Sequence, residues 1–90
     1  AQQAPGGTVT LAYTVNAAAD VEAEILNIAG RTISRLGSRP ATAGAVQTLT
    51  WNGRNIQGSR VPPGRYMVRL TARTEDGQAA SAVRTFQVTR

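Results

Sequence analysis

The side chains able to act as acid, base or nucleophile are few and poorly arranged for it. The chain holds five carboxylates. Asp20, Glu22 and Glu24 lie in one stretch, Glu75 and Asp76 in another. Glu22 and Glu24 stand two apart, which places both on one solvated face of an extended strand. Glu75-Asp76 runs straight into Gly77-Gln78, a turn sequence. Neither pair is an acid/base couple, so no catalytic residue is assigned. There is no Cys and no His, which removes thiolate chemistry, disulfides, Cys/His zinc ligation and the commonest general base. No cofactor-binding or metal-binding residue is assigned.

Charge and aromatic rings are what remain. Lys and Arg together number 10 against 5 acids, a net charge of +5, and every one of the ten is Arg. Arg suits ion pairs and planar recognition, being the more weakly hydrated cation. A charge of this size attracts phosphate weakly and in a salt-dependent way. Base stacking, however, needs exposed rings. Only Trp51, Tyr13, Tyr66 and Phe86 are available, and at least three of them are in phase with core positions. Nucleic acid is therefore not an expected partner, and no planar row of rings is expected to bind carbohydrate or cell wall.

The elements that carry these residues read as strands throughout. Thr8 to Val15 alternates, with Val9, Leu11, Tyr13 and Val15 on one side. Val21, Ala23 and Ile25 alternate with the two glutamates. Asn27-Ile28-Ala29-Gly30 turns the chain. Thr32 to Leu36 follows, where Ile33 and Leu36 differ in parity and call for a bulge or a strand end. Gly37 to Ala45 reads as a loop of small residues, and Val46 to Trp51 as a strand with Leu49 and Trp51 inward. Asn52 to Arg60 is a Gly/Asn-rich excursion. The strongest strand comes next, with Tyr66, Val68, Leu70 and Ala72 inward and Arg65, Met67, Arg69, Thr71 and Arg73 outward. Asp76-Gly77 makes a hairpin turn. Ala80 to Thr89 closes the chain, with Val83, Phe86 and Val88 as apolar contacts. No helical periodicity occurs, and no run approaches the ~20 apolar residues of a membrane span.

This pattern predicts an all-β, antiparallel sandwich of the immunoglobulin or fibronectin-III-like kind, with about seven strands. Residues 1–7 read as a flexible lead or an edge-pairing segment, and residues 8–90 as the sandwich. The start, Ala1-Gln2-Gln3-Ala4-Pro5, suits either a mature chain after signal cleavage or a domain cut at a linker. Trp51 offers the largest apolar surface, and its N–H needs a partner. Asn52-Gly53 ends its strand sharply, Gly58 closes the excursion, and Pro63-Gly64 leads back to Tyr66. A Tyr at the start of a central strand predicts a hydroxyl bonded to backbone a few residues upstream.

Val21 to Ile28, Gly30-Arg31, Leu49-Thr50-Trp51-Asn52-Gly53-Arg54-Asn55, Gly58, Val61-Pro62-Pro63-Gly64-Arg65-Tyr66 and Arg69-Leu70 together resemble the immunoglobulin-like domain of flagellar hook-capping proteins. The same domain type recurs at the C-termini of secreted bacterial proteins. The resemblance spans about residues 8–90 and implies a seven-stranded sandwich, an extracytoplasmic location and a structural or assembly role. That family often carries Asp where Asn52 and Asn55 stand here. With neutral amides at those places a Ca²⁺ loop, which needs several carboxylates, is not expected.

The expected partner is thus protein, either other domains of a parent polypeptide or copies of the same chain. The first expectation is an accessory module of a secreted or surface protein. The alternatives are a self-assembling filament or hook-cap-like subunit and, behind it, a carbohydrate-binding module. Two features bear on assembly. Arg65, Arg69 and Arg73 repeat every four residues, about 13 Å apart along a strand. If they lay on the sheet opposite Glu22 and Glu24, one outer face would be basic and the other acidic, suited to head-to-tail contact. Residues 1–19 carry no charge, so the first strand lacks the usual guard against strand addition.

Overall fold

A computed structural model describes residues 2–3 and 8–89. The strands are β1 (Gln2–Gln3), β2 (Val9–Tyr13), β3 (Ala19–Asn27), β4 (Thr32–Ala41), β5 (Gln47–Trp51), β6 (Gly64–Arg73) and β7 (Ala79–Val88). Six strands of five to ten residues carry the fold, and the expected count of about seven is reached only with the two-residue β1. They form two antiparallel sheets, in the orders β1-β2-β5 and β4-β3-β6-β7. The expectation of a lead over residues 1–7 falls mostly outside the described residues. Within it, Gln2 and Gln3 pair with Thr10 and Val9.

The alternation in the sequence becomes the core directly. Val9, Leu11 and Tyr13 from β2, Val21, Ala23 and Ile25 from β3, Leu49 and Trp51 from β5, and Tyr66 and Val68 from β6 are all buried. They share one cluster with Val61, Phe86, Val88 and Ala41. Burial of an aliphatic or aromatic side chain is worth roughly 1.5–3 kcal/mol each, and for a chain this short one such cluster must carry the stability.

β4 departs most from expectation. The stretch from Gly37 onward pairs with β3 instead of looping out, reaching Ala19↔Ala41. Pro40 is tolerated there because β4 is an edge strand, where one N–H has no ladder partner to lose. The register with β3 shifts between Ala23/Glu24 and again between Ile25/Leu26. Each shift leaves one extra residue on β4, namely Leu36 and Ile33. Both side chains pack against the core. The conflict in parity between them is thus resolved by a pair of bulges.

Three further readings change. Val83 is 53% exposed; it lies one residue out of phase with Phe86 and faces away from the core. Among the described residues only Gly has positive φ, so Asn52 and Asp76 do not use the left-handed region that Asn-Gly and Asp-Gly turns allow at both residues. Asn52 accepts a hydrogen bond from the Arg54 N–H at 3.1 Å, and Asp76 accepts from the Thr74 hydroxyl. Gly53 and Gly77, at φ 76° and 89°, take the conformations that a Cβ makes costly.

Candidate protein-binding surface

The segment from Trp51 to Tyr66 is held by its own hydrogen bonds. Trp51 is 1% exposed and its indole N–H donates to the Arg54 carbonyl at 3.0 Å. The excursion after it closes as a small loop. The Val61 N–H donates to the Gly53 carbonyl, the Asn55 side chain accepts from the Ser59 N–H at 2.9 Å, and the Arg54 guanidinium donates to the Gly58 carbonyl at 2.9 Å. The Tyr66 hydroxyl donates to the Pro62 carbonyl at 2.7 Å, the upstream backbone bond its position predicted. Trp51, Tyr66 and Phe86 then pack as a trio with centroids 5.9–6.3 Å apart. Two of the three pairs are steeply inclined, at 60° and 78°, as the ring quadrupoles prefer. Asn52, Gly53, Gly58, Pro63 and Gly64 shape this loop and its return.

The charged residues singled out from the sequence lie elsewhere, and on one face. Glu22 and Glu24 on β3 were expected opposite Arg65, Arg69 and Arg73 on β6, but β3 and β6 are neighbours in one sheet. Glu24 pairs in register with Arg69, and Asp20 with Arg73. With β1 ahead of β2, the glutamate strand is the third in the chain rather than the second, and it lies beside β6. The separation into an acidic and a basic face is therefore overturned. In its place is a mixed row across three strands, Arg35–Glu24–Arg69. Arg69 donates to Glu24 at 2.9 Å, and Arg35 lies 3.9 Å away on the other side. The Thr32 hydroxyl adds a bond at 3.2 Å.

This environment holds the Glu24 carboxyl below its ordinary value of 4.5, chiefly through the Arg69 hydrogen bond, then through Thr32 and the two arginine charges. The adjoining Glu22, Arg65 and Arg73 are exposed. Sequence reasoning found Glu24 and Arg69 but missed Arg35 and Thr32, because both reach Glu24 only through the bulged register of β4. The exposed Ile28, Val46, Ile56 and Val83 add apolar points to the surface. All four aromatic residues are buried, and among the described residues no cluster of acids, His or Cys is suited to a metal ion.

An antiparallel two-sheet sandwich, with a buried Trp and a Tyr hydroxyl tied to upstream backbone, defines an immunoglobulin-like structural module. The family model for the FlgD Ig-like domain matches residues 2–76, and the chain belongs to that family. The match ends in the turn before β7. The fold is similar to two solved structures. One is described as FlgD from Xanthomonas campestris, "Insights into the Hook Capping Essential for Flagellar Assembly", at 25% identity and a TM-score of 0.74 over 92% of this chain. The other is FlgD from P. aeruginosa, at 20% identity and a TM-score of 0.69 over 90% of this chain. The chain spans 58% and 61% of the lengths of those two proteins. No curated protein matches it.

Proposed function

We propose that this chain is a non-catalytic assembly module of the flagellar hook-cap type. It works outside the cytoplasm and makes protein–protein contacts through the outer face of the β4-β3-β6-β7 sheet. The observation that carries the reading is the family match over residues 2–76, backed by the similarity of the whole sandwich to a protein described as hook-capping. The burial of every aromatic favours this over sugar or nucleic-acid binding, and among the described residues no helix is long and apolar enough to cross a membrane. The contact residues are Glu22, Glu24, Arg65, Arg69 and Arg73, with Arg35 added. Interleaved charges of both signs give register and partner choice more than raw affinity.

Deleting the segment that encodes residues 8–90 from its gene, followed by electron microscopy of the cells, is the direct test. Loss or malformation of hooks is expected, and hooks of normal length and number overturn the flagellar role. A second reading, an accessory domain of a secreted protein, is favoured by one fact: the matching family model is the Ig-like domain alone. Normal hooks together with recovery of the chain from the culture medium would select it. For the contact face, Arg65→Glu with Arg73→Glu is the sharper variant, because it leaves the Glu24–Arg69 pair intact. It is expected to weaken hook assembly with the melting temperature unchanged.

A further inference from the structure

The excursion after Trp51 is tied to β4, and a groove lies between the two. The Ile56 N–H donates to the Ile33 carbonyl at 3.0 Å, and the Gly58 N–H closes back on the Asn55 carbonyl at 2.9 Å. The loop is therefore a fixed wall. The groove measures about 670 Å³, and Arg35 and Leu36 on one side and Arg54 and Ile56 on the other contribute to its lining. No acid lines it, and the chain holds none between Glu24 and Glu75. Arg54 is exposed and is aimed by a bond to the Gly58 carbonyl at 2.9 Å, a neutral partner. Arg35 comes within only 3.9 Å of Glu24, a carboxylate that Arg69 already holds at 2.9 Å. Two features here do not serve folding. Ile56 is 65% exposed although its backbone is anchored. Arg54 stands directly across from Arg60 in an isolated antiparallel bridge, where like charges destabilise.

We propose that this groove binds an acidic, partly apolar segment of a partner protein. The segment sets a carboxylate between Arg35 and Arg54 and an apolar side chain against Ile56 and Leu36. The inference rests on the protein–protein reading above and extends its contact face from Arg35 around the edge of β4. A guanidinium matches a carboxylate with two parallel N–H bonds, and a wall already held by hydrogen bonds loses little freedom on binding. Arginine and apolar side chains together are the composition of an interface core. A phosphate polymer would use the arginines but leave Ile56 and Leu36 uncovered, and its bases would find no exposed ring to stack on, since all four are buried. A second copy of the chain fits less well. Its β3 acids Asp20, Glu22 and Glu24 lie beside the arginines of β6. Its acidic turn, Glu75-Asp76, is flanked by Thr74 and Gly77 and has no apolar side chain to offer.

The test uses three synthetic peptides of about nine residues, alternating Leu with Glu, Ser with Glu, or Leu with Lys. Each is titrated into the 90-residue chain, with the amide resonances followed by NMR. The Leu/Glu peptide is expected to bind and to shift the amides of Arg35, Leu36 and Arg54–Ile56. The Ser/Glu peptide is expected to bind about tenfold more weakly, as for loss of one well-placed apolar contact, and the Leu/Lys peptide not at all. Arg54→Glu should abolish binding. Ile56→Ser, which keeps every backbone bond, should erase the preference for Leu/Glu over Ser/Glu with the melting temperature unchanged. Failure of the Leu/Glu peptide to bind, equal binding of the two Glu peptides, or indifference to both substitutions would each overturn the assignment. So would single-stranded DNA binding as tightly as the Leu/Glu peptide, which would make the groove a polyanion site. Self-association without peptide that shifts the same amides would give the groove to a second copy and overturn it as well. Should hooks fail on deletion of the chain while no peptide binds, the groove assignment falls and the assembly reading stands; normal hooks with a bound Leu/Glu peptide give the reverse.

Discussion

The same strands build two ends of this sandwich that behave differently. At one end, Tyr66 and Phe86 meet Trp51, the excursion folds back on itself, and every ring is buried. At the other end, β6 and β7 run on for several residue pairs past the last buried one, and Leu70 and Ala72 are only partly covered. The inward pattern is the same at both ends. What differs is the facing sheet: β1 and the loop after β5 lie at the end where Val9 pairs with Trp51, and β2 and β5 alone reach the end where Tyr13 pairs with Gln47. Alternation therefore sets which way a side chain points, and the opposite layer sets whether water is excluded.

That contrast can be pressed by substitution. Trp51→Ala is expected to have the largest effect, a loss of ~3–5 kcal/mol from transfer and cavity terms, out of the ~5–13 kcal/mol available to a domain of this size. Chemical denaturation would measure it, and a variant that unfolds like the parent would break the account of the closed end. Tyr66→Phe keeps the ring and removes the hydroxyl that donates to the Pro62 carbonyl, so about 0.5–1.5 kcal/mol is expected. Leu70→Ala is the counterpart at the open end. A loss well below the usual ~2–5 kcal/mol for a buried Leu would sharpen the contrast, and a full-sized loss would remove it.

The smallest effect is expected at Glu24. Its carboxyl titrates below its ordinary value in the folded chain. Its contribution is therefore fully present above pH 4.5 and is lost as the pH falls through the lowered folded value. Glu24→Gln is expected to cost about 0.5–1 kcal/mol at neutral pH, as for a partly exposed pair. It should also flatten the decline in stability on acidification, which melting temperatures measured from pH 7 to pH 3 would show.

Much of the fold was legible because strand alternation is a local signal. Val9-Leu11-Tyr13, Val21-Ala23-Ile25 and Tyr66-Val68 all point inward as their spacing requires. The Tyr66 hydroxyl found its upstream carbonyl for the same reason, since four residues separate the partners. What escaped was non-local. The pairing of Glu24 with Arg69 spans 45 residues and depends on which sheet each strand joins. The strand order used to assign sheets missed Gln2–Gln3, a strand too short to leave a pattern. Gly37 to Ala41 looked like loop because its small residues and Pro40 carry no alternation, yet edge pairing asks only for backbone. Val83 was misread because its neighbours in space are set by a ten-pair register with β6, and its apolar character says nothing of phase.

The two bulges in β4 work like a pair of compensating frameshifts. Either one alone would invert the faces of everything beyond it, turning Arg39 and Ala41 to the wrong sides. Together they advance the strand by one full pleat, so phase is restored from Gly37 onward. Paired insertions or deletions in this edge strand are thus expected to keep its faces, and single ones to invert them.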